Sequence, residues 1–207
     1  MERSSGIEAV TIPPSSGAPL TDAHQQELAL ARSQIKPIRK AAKVASFNGW
    51  TMSVAAILSA PFAIFSVVGA VMTIGLSVVA YNEFWGRRQL LRLNPAGATL
   101  LGWNQLGLLT MIVAYSTWML WAAIAGPSPL AAELEAHPEL GEALGSVEGF
   151  EDLYQSVSVA FYGVVIAVSV LVQGLTALYY FTRRQLVVAY QRDTPEWIQQ
   201  LERATAG

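Results

Sequence analysis

The chain contains no cysteine, which excludes disulfides, thiolate catalysis and cysteine-ligated metal. It holds two histidines, His24 and His137, far apart in sequence. No glycine-rich phosphate loop and no nucleophile elbow occur. Charge is scarce as well: 14% of residues are Asp, Glu, Lys or Arg, against about 25% in an ordinary soluble domain. Above all, no charged side chain stands anywhere from Val44 through Asn82, between Lys43 and Glu83.

What fills those 39 positions is apolar, as is 53% of the whole chain. An α-helix rises about 1.5 Å per residue, so one straight helix over this run would be roughly 58 Å long. A bilayer core is about 30 Å thick and is crossed by about 20 residues. Two helices therefore fit where one overshoots. Proline lacks an N–H and clashes with the preceding turn, so Pro61 is the expected turning point. The expected spans are about 44–60 and 62–82.

Taken in order, residues 1–20 carry Pro13, Pro14 and Pro19 among serines and are expected to be a disordered tail. That tail has no apolar core of a cleavable leader. Thr21 or Asp22 is set to cap a short helix through Gln34, which Pro37 would end. Lys36, Arg39, Lys40 and Lys43 then share one helical face, either of a solvated juxtamembrane helix or as a strip on anionic lipid headgroups. Residues 1–43 thus read as a cytoplasmic tail with a basic helix beside the membrane.

The second span ends in Glu83-Phe84-Trp85-Gly86-Arg87-Arg88, an interface of aromatic and basic residues in which Glu83 and Arg87 are spaced to pair. Asn94-Pro95 looks like an N-cap followed by proline in the first helical position. A third span is expected at about 99–125, followed by an acidic connector over 126–152. The fourth span is expected at 153–181, which completes a transmembrane domain over 44–182. The tail 183–207 would carry a short interfacial helix after Thr194-Pro195, with Trp197, Ile198 and Leu201 on the membrane surface.

Charge sets the topology. With four crossings, all 13 Lys and Arg residues fall on one side: six before Val44, three in the loop after Asn82 and four after Phe181. Seven of the 15 acidic residues fall in the connector on the opposite side. The positive-inside rule then places both termini in the cytoplasm. The fold class expected is all-α, a polytopic membrane protein of four transmembrane helices arranged as two hairpins. Arg87-Arg88-Gln89-Leu90 before Asn94-Pro95 and Arg183-Arg184-Gln185-Leu186 before Thr194-Pro195 are either a faint repeat, parallel rather than inverted, or two hairpin ends converging under the same interface rules.

Chemistry is harder to find. The histidines would lie on opposite sides of the membrane, so they share neither a metal site nor a triad. No ionisable residue lies well inside an expected span, which disfavours proton-coupled transport. Basic residues are too few for a nucleic-acid surface. No acid, base and nucleophile can be grouped, so a non-enzymatic protein without cofactor or metal is expected.

The polarity left inside is uncharged. Tyr162, Ser169, Gln173, Thr176 and Tyr180 align on one face of the fourth span. Small residues form strips on the second span (Ser66, Gly69, Thr73, Ser77, Ala80) and the third (Gly107, Thr110, Ala114, Thr117). One reading has the helices glued along these strips. The other has a cleft on the fourth span for a small uncharged or lipid-like ligand. A structural or accessory role, with a membrane-protein partner or a second copy, follows from the first.

The runs Tyr81-Asn82-Glu83 with Arg87-Arg88, Leu101 to Gln105, and Gln173-Gly174 with Tyr179 to Phe181 through Trp197 resemble bacterial four-helix integral membrane proteins that carry no established activity. The resemblance covers residues 44 to 198. It implies the four-span topology and a bacterial inner-membrane location, and it assigns no site.

Overall fold

A computed structural model describes residues 19–126 and 148–205, with side chains placed from 151 in the second stretch. The tail before Pro19 and nearly all of the acidic connector, His137 included, lie outside the described residues. Every regular element described is helical: α1 (Asp22–Phe65), α2 (Val67–Leu91), α3 (Pro95–Ala125), α4 (Glu148–Asp193) and α5 (Glu196–Thr205). The first four are long and apolar enough to cross a membrane.

Neither proline breaks α1. The helix starts at a reciprocal cap, in which Thr21 Oγ1 accepts from the His24 N–H and His24 Nδ1 accepts from the Thr21 N–H, both at 3.4 Å. It then continues through Pro37 and Pro61 to Phe65. An interior proline costs a helix about 3 kcal/mol. Around Pro37 that cost is outweighed by the buried face Ala31, Ile35, Ile38, Ala41, Ala42 and Ala45, whose larger members each contribute about 1.5–3 kcal/mol.

The expected turn at Pro61 is displaced to Ser66. Ser66 caps α2, its hydroxyl accepting from the Gly69 N–H at 3.4 Å. A side chain on Gly69 would strike the Phe62 backbone carbonyl, so only glycine allows the two helix ends to meet this closely. Serine reads as one more small residue in an apolar run, whereas here it sets a helix boundary. The α2–α3 junction is as expected: α3 begins at Pro95, and Asn94 Oδ1 accepts from the Ala96 N–H at 3.0 Å. The fourth helix runs beyond the expected 153–181, to Asp193.

The described residues divide into two compact units. One comprises 19–51, 81–101 and 180–205. Its core is of the ordinary kind: the α1 face above packs with Leu90, Leu93, Leu101, Val187, Tyr190 and Ile198, all buried. The expected surface-lying tail helix belongs to this core. Ile198 and Gln199 of α5 are buried, and Trp197 meets the His24 ring edge-on at 5.7 Å. The apolar face of α5 is spent on protein, leaving Leu201 half exposed.

The other unit comprises 52–80, 102–126 and 148–179 and has the opposite polarity. Ile57, Phe65, Val67, Ile74, Trp118, Leu171 and Leu175 are exposed, while Asn104, Gln105, Ser116, Ser158 and Ser169 are buried. In the most apolar 18-residue window of each of the four long helices, only 6% to 17% of residues are buried. Asn104 Nδ2 donates to the Val79 carbonyl at 3.0 Å, which gives a buried amide the partner it needs. Apolar side chains facing out, with amides and hydroxyls facing in, suit a hydrocarbon solvent.

Candidate functional site

The unit formed by 19–51, 81–101 and 180–205 carries the concentrated chemistry. Glu83, expected at a wet interface, is fully buried on α2. The Tyr180 hydroxyl of α4 donates toward Glu83 Oε2 at 3.5 Å, and Asn48 Nδ2 of α1 donates to the same hydroxyl at 3.4 Å. Gly49 makes this approach feasible: a Cβ there would lie 3.1 Å from the Phe84 ring and 3.2 Å from Glu83 Cβ. Three helices are thus tied by one polar cluster, and a buried carboxylate stays in such a place only with partners.

Nearby in the same unit lies a cavity of about 270 Å³. Its cations are Arg39 and Lys43, one turn apart on α1, and Arg87 on α2. Its walls are Ile35, Ile38, Ala42, Leu90, Leu91 and Leu93, and Glu202 and Thr205 of α5 also line it. Glu202 forms an ion pair with Arg39. A second cavity shares Ile35, Arg39, Glu202 and Thr205 and adds Arg32, Lys36 and Leu201. Tyr190 belongs to the same surroundings: burial pushes its phenol above the usual value, the Glu202 carboxylate adds to that, and Thr194 and Arg39 oppose it.

The cavity is held in shape by satisfied helix ends. Leu93 takes a left-handed φ of 59°. The Leu93 N–H then bonds to the Leu90 carbonyl and the Asn94 N–H to the Gln89 carbonyl, at 3.0 and 2.9 Å, closing α2 in a Schellman motif. Gln191 Nε2 of α4 donates to the Leu93 carbonyl at 2.7 Å. Gln199 Nε2 of α5 donates to the carbonyls of Gln191 and Thr194, each at 2.8 Å. Two glutamines therefore satisfy three carbonyls that the helix ends leave over.

The sequence-expected residues divide as follows. Of the basic strip, Lys36, Arg39 and Lys43 line the two cavities, whereas Lys40 lines neither and Arg32 takes its place. The spacing 32, 36, 39, 43 is itself helical and was available in the sequence. Arg87 and Glu202 had no such signal, because folding alone brings them to α1. Of the α4 face, Ser169 and Tyr180 are buried, and Tyr162, Gln173 and Thr176 are half-buried. The two ends of that face belong to different units, Tyr180 to one and the rest to the other.

Hydroxyls expected to bond across helices bond within them instead. Thr73, Ser77, Thr110 and Thr176 each donate to the carbonyl four residues earlier, at 2.6 to 2.9 Å. The α3 strip Gly107, Thr110, Ala114 and Thr117 is exposed, and nothing lies within 4 Å of where a Gly107 side chain would be. Among the described residues, no group of three or more His, Asp or Glu is placed to hold a metal ion. Compared with known protein families, characterised proteins and solved structures, the chain matches none.

Proposed function

We propose that this chain is a multi-pass protein of a bacterial inner membrane, with four crossings arranged as two hairpins and both termini in the cytoplasm. It acts as a non-enzymatic accessory protein that holds a membrane partner or a second copy of itself, and its basic residues meet anionic headgroups. The observation that carries this reading is the reversal of polarity between the two units. One has a protein-like apolar core and gathers Arg32, Lys36, Arg39, Lys43 and Arg87 around its cavities. The other turns its apolar side chains outward.

Several contacts support the hairpin arrangement. Phe62 meets Gly69, and Gly49 meets Phe84, so the paired numbers converge on Ser66 as antiparallel neighbours do. On the next pair of helices, Gly97 meets Gln89 and Gly86 meets Leu101, converging near Leu93. The exposed small-residue face of α3 supports the partner-holding role, because close backbone approach is what associates helices in lipid.

Reporter fusions test the topology. A reporter after Gly207 and one before Met1 are both expected to be active in the cytoplasm, and one inserted at Pro129 outside it. A C-terminal reporter found outside the cell would remove the hairpins. Purification in a mild detergent tests the role: a stable complex or a homo-oligomer is expected, and a lone monomer overturns it.

A further inference from the structure

We infer that the cavity framed by Arg39, Lys43 and Arg87 binds a phosphate-bearing amphiphile, its phosphate held by these cations and its apolar body by Ile35, Ile38 and Leu90. The inference rests on the membrane reading above for the source of the ligand, and on the cavity alone for its chemistry.

Charge is the first argument. Three cations and one carboxylate, Glu202, line this volume, and Glu202 is already engaged by Arg39. The surplus is two positive charges, arranged on two helices that face a common space. Two guanidiniums and an ammonium match a phosphate particularly well, since each guanidinium offers a planar pair of donors.

Size and lining give the second argument. A water takes roughly 30 Å³ of liquid, so a cavity of about 270 Å³ exceeds a bare phosphate several times over. Six of the lining residues are apolar, from Ile35 and Ile38 through Leu90, Leu91 and Leu93. A phosphate alone would leave that wall unpaired with anything, whereas a glycerol backbone and the first methylenes of an acyl chain would cover it.

Position gives the third. Lys43 is the last charged residue before the 39-residue uncharged run, and Arg87 is the first cation after it. Two cations that bracket the apolar stretch at both ends belong where lipid phosphates lie. Arg39 is already paired with Glu202, so Lys43 and Arg87 carry the charge that is left for a phosphate.

The test uses the full chain in micelles of an uncharged detergent, titrated calorimetrically with dihexanoyl phosphatidic acid, dihexanoyl phosphatidylcholine and inorganic phosphate. Phosphatidic acid is expected to bind one per chain, well ahead of the other two. The double variant Lys43→Gln/Arg87→Gln is expected to weaken it roughly 25-fold, about fivefold per cation. The control Arg88→Gln/Arg184→Gln, which removes the same charge outside the cavity, is expected to stay within about twofold. Should the double variant not fold, the single variants read the fivefold steps separately.

Equal loss in the control, or equal binding of phosphatidylcholine, would overturn the site. Inorganic phosphate binding as tightly as phosphatidic acid would make the ligand a soluble phosphate and overturn the amphiphile. Micelle titration does not depend on which side the termini face, so its failure and that of the topology are read independently.

Discussion

The Tyr180 hydroxyl stands 3.5 Å from a Glu83 carboxylate oxygen and 3.4 Å from the Asn48 amide nitrogen, although 97 and 132 positions separate them along the chain. Removing that hydroxyl takes one hydrogen-bonding neighbour each from the buried Glu83 and the half-buried Asn48. Tyr180→Phe is therefore expected to cost about 1–3 kcal/mol of stability. Thermal or denaturant unfolding of the purified protein in micelles measures it, and an unchanged midpoint would show that the cluster contributes nothing.

Two glycines form a matched pair of tests. A Cβ on Gly97 would sit 2.6 Å from Gln89 Cβ and 2.9 Å from both the Gly86 oxygen and the Leu90 nitrogen. Backbone cannot step aside, so Gly97→Ala is expected to destabilise by about 1–3 kcal/mol. Gly107 has nothing within 4 Å, and Gly107→Ala is expected to be neutral or slightly stabilising. Equal melting temperatures for the two variants would contradict this packing.

Gln199 is what fastens α5. Its amide donates to two carbonyls and its oxygen accepts from Arg203 at 3.2 Å. Gln199→Leu keeps the bulk and loses these bonds, at an expected cost of about 1–3 kcal/mol. Hydrogen exchange should then rise over 196–205 and over the facing Ile35–Ala42 stretch of α1, while α3 keeps its protection. Exchange that stays slow in α5 would assign its anchoring to Ile198, the Trp197–His24 contact and the Arg39–Glu202 pair.

Tyr190 predicts a pH response. Its phenol is held above the usual 10.0, chiefly by burial and then by Glu202, with Thr194 and Arg39 opposing. A raised folded-state value means that the folded chain keeps a proton the unfolded chain releases, so stability falls as pH rises above about 10. Melts from pH 8 to 11 should show a steeper loss in the parent than in Tyr190→Phe. Parallel curves would exclude Tyr190 as the source.

The four long apolar helices were legible because the length of an uncharged run is read without any tertiary structure. The Asn94-Pro95 cap was legible for a similar reason, since cap chemistry is local. Pro61 misled because a proline near the end of a helix removes one bond and leaves that end where a better cap, Ser66, places it. Glu83 misled because its neighbours in sequence are arginines and aromatics, whereas its burial depends on Tyr180, 97 residues away. The basic cavity was half visible: α1 supplies a readable row of cations, but Arg87 and Glu202 join it only through folding.

The unit formed by 19–51, 81–101 and 180–205 is drawn from three separate stretches of chain, and the last of them starts at Tyr180. Its core therefore cannot close while the ribosome is still making the first three helices. Until α4 emerges, the Asn48 amide and the apolar flank of α1 wait without their final neighbours, and any chaperone of assembly has that interval in which to act. Nor can the unit be expressed as a fragment, because no single cut through the gene releases it.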